Sequence, residues 1–242
     1  MKVTLPIGLL VTMVLSTATL LAQHSNLPGL SKTFLEEYQA ASKEVAETKS
    51  ADPYFTLQKK YPTGNEWIEL EVSIGLVYGQ RTGMVDPAKA VQYFTSSLKC
   101  YGLSEITYSQ ILMWRGNSQE QLGKIPEALN DYLRGLLECS YRDLSGGWPE
   151  IKNPYVTFYM NSSDPENDIR AADYNQYRRS IESQRFFLRQ CWFLVDAVRR
   201  VTKKNPLSHE QIIELLAKLS PDSSRYEIIV GWLKSENKRP WP

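Results

Sequence analysis

Two stretches decide the fold: Asp86-Pro87-Ala88-Lys89-Ala90-Val91-Gln92-Tyr93-Phe94-Thr95-Ser96-Ser97-Leu98 and Ile125-Pro126-Glu127-Ala128-Leu129-Asn130-Asp131-Tyr132-Leu133-Arg134-Gly135-Leu136. Superposed on Ala90 and Ala128, they repeat an alanine, an aromatic and a small residue at the same offsets. The alanines lie 38 residues apart, within the range of helical-hairpin repeats, which run about 34 residues plus insertions. An alanine at that position marks where two antiparallel helices come closest.

Outward from this pair the punctuation is helical, and alternating β-branched runs with tight turns are nearly absent. Ser31 is placed to cap a helix through about Thr48, with Phe34, Leu35, Tyr38, Ala41 and Val45 at helical spacing, and Asp52-Pro53 ends it. Thr63-x-x-Glu66 has the form of a capping box for a helix to about Tyr78. Asp86-Pro87 supplies an N-cap followed by proline in the first turn. Ser104 starts the next helix, Gly123 ends it in a left-handed cap, and Pro126 starts another. Breakers crowd residues 141–168 (Gly146-Gly147-Trp148-Pro149, Asn153-Pro154, Asp164-Pro165), which predicts a long irregular connection with aromatics at Trp148, Tyr155, Phe158 and Tyr159. From Asp164 an apolar stripe through Tyr174, Tyr177, Ile181, Leu188, Cys191, Val195 and Val198 predicts a long helix to about Lys204. Ser208-x-x-Gln211 and Ser224-x-x-Glu227 then cap two short helices.

The segment Leu112-Met113-Trp114-Arg115-Gly116, followed by Leu122-Gly123-Lys124, Ala128, Tyr132 and Gly135, resembles a tetratricopeptide repeat. Ile74-Gly75, Tyr78, Gly83-Met84-Val85-Asp86 and Lys89-Ala90 look like its Sel-like relative. The resemblance covers about residues 68–140. It implies an all-α fold of helical hairpins packed with the long C-terminal helix and short terminal helices. It also implies a groove, lined by each hairpin's first helix, that binds a protein or extended peptide. In the second repeat the corresponding positions are Gln110, Met113, Asn117, Glu120 and Gln121. Their chemistry suits the task, since amides pair with a peptide backbone and methionine adapts to varied side chains. The competing expectation is that the basic helix of the same chain fills this groove.

The domain plan is therefore 1–22 leader, 23–62 N-terminal helix and linker, 63–140 repeats, 141–168 aromatic connection and 169–242 C-terminal helical segment. Residues 1–22 carry one cation, Lys2, and then an uncharged apolar run, as in a secretory signal peptide. The cleavage site stays open between Ser16-Thr17-Ala18 and Ala22. The expected location is periplasmic or secreted, with an uncleaved anchor over residues 3–22 as the alternative and the sole route to a membrane. Without Lys2, the 28 basic and 27 acidic side chains come into balance. That argues against a nucleic-acid partner, which needs a cationic excess to displace counterions. The charge is unevenly spread: residues 61–168 hold 8 basic and 14 acidic side chains, and residues 169–204 hold 9 and 3. These regions are suited to neutralise one another.

Cys100, Cys139 and Cys191 are too few and too dispersed for a disulfide scaffold or a zinc site, which leaves open one bridge, between Cys100 and Cys139. No metal, cofactor or catalytic residue is assigned. Of the two histidines, His24 follows the leader and His209 falls in the first turn of a capped helix. No metal-ligand spacing, nucleophile elbow or phosphate loop is present. The expected function is a non-enzymatic protein- or peptide-binding module. The alternative is a structural scaffold subunit of an envelope or secreted complex. A hydrolase using two carboxylates beside Trp148 comes third.

Overall fold

The computed structural model describes residues 30–79, 85–100, 105–140 and 190–235. The leader 1–22, Ser104, the aromatic connection 141–168 and the first part of the long C-terminal helix lie outside the described residues. Among the described residues all regular structure is helical, with no strand. None of their helices is long and apolar enough to cross a membrane. The chain forms two compact units, Met1–Cys100 and Tyr101–Pro242, with the boundary falling between the two hairpins.

In the first unit, α1 (Lys32–Thr48) begins where the Ser31 hydroxyl accepts the Phe34 N–H and ends at Lys49, whose φ of 59° closes a left-handed cap. The sequence reading took Asp52-Pro53 only as the end of this helix, and here that is corrected. Asp52-Pro53 opens a helix, α2 (Asp52–Lys60), because a proline in the first turn gives up an N–H that has no helical partner there anyway. Helix α3 (Gly64–Gly79) follows, and its Glu66 carboxylate accepts the Ser31 N–H at 3.3 Å. Helix α4 (Pro87–Ser97) is capped by Asp86, which accepts the Lys89 N–H as its spacing predicts. Tyr38 and Tyr54 stack with centroids 5.6 Å apart, joining α1 to α2. The Tyr38 hydroxyl lies 2.7 Å from that of Ser73 on α3.

In the second unit, α5 (Glu105–Gln121) and α6 (Ile125–Ser140) form a hairpin turned by Gly123 at φ 73°. The hairpins share one joint. A Cβ at Gly75 would stand 2.7 Å from the Phe94 ring, and one at Gly116 would stand 2.5 Å from the Tyr132 ring. In each, a helix-borne glycine admits a fully buried aromatic from the partner helix, four residues after the fully buried Ala90 or Ala128.

Helix α7, residues 190–201, is buried almost all round, as expected for a helix packed on more than one side. Its Cys191, Trp192, Leu194, Val195, Ala197 and Val198 join Tyr132, Leu133 and Leu136 of α6 in one core. Helix α8 (His209–Leu219) opens with the capping box formed by Ser208 and Gln211. Helix α9 (Tyr226–Lys234) differs from its expected start. A 3-10 turn, Ser223–Arg225, precedes it and is capped by Asp222, which accepts the Ser224 N–H at 3.0 Å; α9 itself starts after Arg225 with no side-chain cap, so Ser224 does not cap it. Ile212, Leu216, Tyr226, Ile229 and Val230 bring α8 and α9 into the same core.

Candidate functional site

The five residues assigned to the groove lie on α5, and α7 of the same chain engages three of them. Met113 Sδ accepts the Gln190 amide at 3.5 Å. Glu120 takes a two-pronged contact from the Arg200 guanidinium, Nε to Oε1 at 3.0 Å and Nη2 to Oε2 at 2.7 Å. Asn117 Oδ1 receives Arg200 Nη2 at 3.4 Å. Gln110 is half-buried and Gln121 exposed.

Tyr132 ties this site to the hairpin joint. Its ring packs on Gly116, and its hydroxyl is directed at Asn117 Oδ1 (2.8 Å) and Glu120 Oε2 (3.0 Å). The Arg200 contact holds the Glu120 carboxyl below its ordinary range despite burial, and burial drives the Tyr132 phenol well up. The geometry therefore describes an anionic seat, Glu120 with two auxiliary groups, filled by a forked guanidinium. Of the uneven charge seen in the sequence, this pair joins the acidic and basic stretches directly.

Neighbouring cations have other work. Arg115 on α5 forks onto Asp131 on α6 at 2.8 and 2.6 Å, a largely buried pair inside the hairpin. Burial pushes the Asp131 carboxyl up against the pull of Arg115. Arg199 donates to the carbonyls of Trp232 (2.9 Å), Leu233 (3.1 Å) and Ser235 (2.5 Å), satisfying the end of α9 that no further helical turn can serve. Its guanidinium also lies over the Trp192 ring. Sequence reading missed these two arginine roles, because both depend on long-range packing that helical spacing does not encode.

The remaining candidates are quickly placed. His209 is partly exposed and lies 3.0 Å from Glu227. Cys100, in the turn after α4, belongs to the first unit, whereas Cys139 and Cys191 belong to the second, and no disulfide joins them in this structure. Among the described residues no three His, Cys, Asp or Glu side chains converge as a metal site would need. In the first unit burial raises the Glu69 carboxyl to about 7, opposed by a hydrogen bond with Tyr38. Trp148 and the carboxylates that would serve a hydrolase beside it lie outside the described residues. Comparison with family models, with curated proteins and with solved structures found no match for this chain.

Proposed function

We propose that the protein is a non-enzymatic helical-repeat scaffold that binds another protein in an exported compartment, and that the groove of its second hairpin is a seat for its own helix α7. One observation carries this reading: Arg200 and Gln190 already occupy the side chains that a peptide would contact. Magnitude decides between a fixed seat and a displaceable one. Undocking α7 re-exposes Trp192, Leu194, Val195 and Val198. At about 1.5–3 kcal/mol for each large apolar side chain, that is roughly 6–12 kcal/mol. A whole domain is stable by only about 5–15 kcal/mol. A peptide competing for the groove would have to unfold much of the unit, so the helix is a structural element and partners dock elsewhere.

Affinity capture with the full chain tests this. The unsubstituted protein and a Met113→Ala, Asn117→Ala variant should retain the same protein partner, and that partner should weaken with salt if charge guides docking. A partner lost only in the variant would restore the peptide-groove reading. Turnover of a substrate with no macromolecule bound would remove both.

A further inference from the structure

We infer that Cys139 and Cys191 form a redox site in the second unit, two thiols set to close into a disulfide between α6 and α7. Helix register carries the inference. Met113 meets Gln190, and Glu120, further along α5, meets Arg200, so α7 runs in the direction of α5. Because α6 returns antiparallel to α5 through the Gly123 turn, α6 and α7 are antiparallel.

The two helices touch at Gly135, where a Cβ would come within 3.0 Å of both Leu194 methyl carbons. A glycine there lets the two backbones draw together. One turn along each helix in opposite directions, four residues after Gly135 and three before Leu194, stand Cys139 and Cys191. Both are fully buried, 1% and 0% exposed, and belong to one continuous core. A disulfide needs Cα atoms roughly 4.4–6.8 Å apart, so the two cysteines have to face each other across the α6–α7 contact, as the antiparallel register places them. Cys100 lies in the first unit, in the turn after α4, and is only partly buried.

The oxidant is a disulfide of the glutathione or protein-disulfide class. One thiolate attacks it to form a mixed disulfide and expel a thiol. The second cysteine then attacks the bridged sulfur and expels the other thiol, so two cysteines are oxidised and one external disulfide is reduced to two thiols. Burial of both sulfurs confines the reaction to folding or to transient opening. The bridge ties α7 to the hairpin across the intervening chain, constraining the unfolded state.

The test refolds the full chain with mixed oxidised and reduced glutathione, then labels thiols in denaturant and maps peptides. The expected result is one labelled cysteine, Cys100, and a linked pair containing Cys139 and Cys191. The oxidised protein should melt higher than the reduced one by roughly 10 °C. That difference should vanish in Cys191→Ala and persist in Cys100→Ala. Three labelled thiols, or a link that includes Cys100, would overturn the inference, and the peptide map of the unsubstituted chain decides this even if the Cys191 variant does not fold.

Discussion

At the scale of single residues, the two hairpins turn on glycines chosen for absence of a side chain. Gly116→Ala should destabilise the second unit by about 1–3 kcal/mol, because the Tyr132 ring it meets is buried and held by its hydroxyl. Gly75→Ala against Phe94 should behave likewise. Gly231→Ala, a helical glycine with nothing within 4 Å of a built Cβ, should be neutral or stabilise by up to about 1 kcal/mol. Denaturant titration of the three variants checks the contrast. A different residue governs pH. The fold raises the Glu69 carboxyl from 4.5 to about 7, so it favours the protonated form. Its stabilising effect is full below about pH 4.5 and declines as pH rises towards 7, by roughly 2–3 kcal/mol. Glu69→Gln should flatten that decline in unfolding curves taken from pH 4 to 8. The alanine and aromatic pairs were legible in the sequence because they repeat. The burial of Glu69 was not, because a carboxylate on a helix looks solvated until the facing tyrosines are known.

At the scale of helices, local caps were readable and long-range partners were not. Ser31, Asp86, Gly123 and the Ser208–Gln211 box act within three or four residues of themselves, and the structure uses each as its spacing predicts. Asp52-Pro53 misled because the same dipeptide ends one helix and begins another, and only the packing of Tyr54 on Tyr38 selects the second outcome. Ser224 caps no helix because it lies inside a short 3-10 turn, capped by Asp222, that runs directly into α9. The seat of α7 could be proposed from charge, but its atomic form depends on Arg200 and Glu120, 80 residues apart, being brought together by the fold. A double-mutant cycle on Arg200→Ala and Glu120→Gln should give a coupling of about 0.5–1 kcal/mol, modest because the arginine is half-exposed. Arg199→Ala should cost more, about 1–3 kcal/mol, since it leaves carbonyls at the end of α9 without their donor.

At the scale of the molecule, a helix of the chain itself lies on the α5–α6 hairpin of the second unit. There α5, α6 and α7 share side-chain contacts, and α8 and α9 complete the core on which α7 rests. On the proposed function, other proteins would then dock on outer surfaces. The most direct test is amide hydrogen exchange followed by mass spectrometry across residues 105–140 and 190–201 of the full chain. Residues 190–201 should be protected to the same degree as α5 and α6 and should open with them in one cooperative step. Exchange of 190–201 well ahead of the hairpin, with α5 and α6 still protected, would show a helix that leaves its seat and would contradict the closed groove.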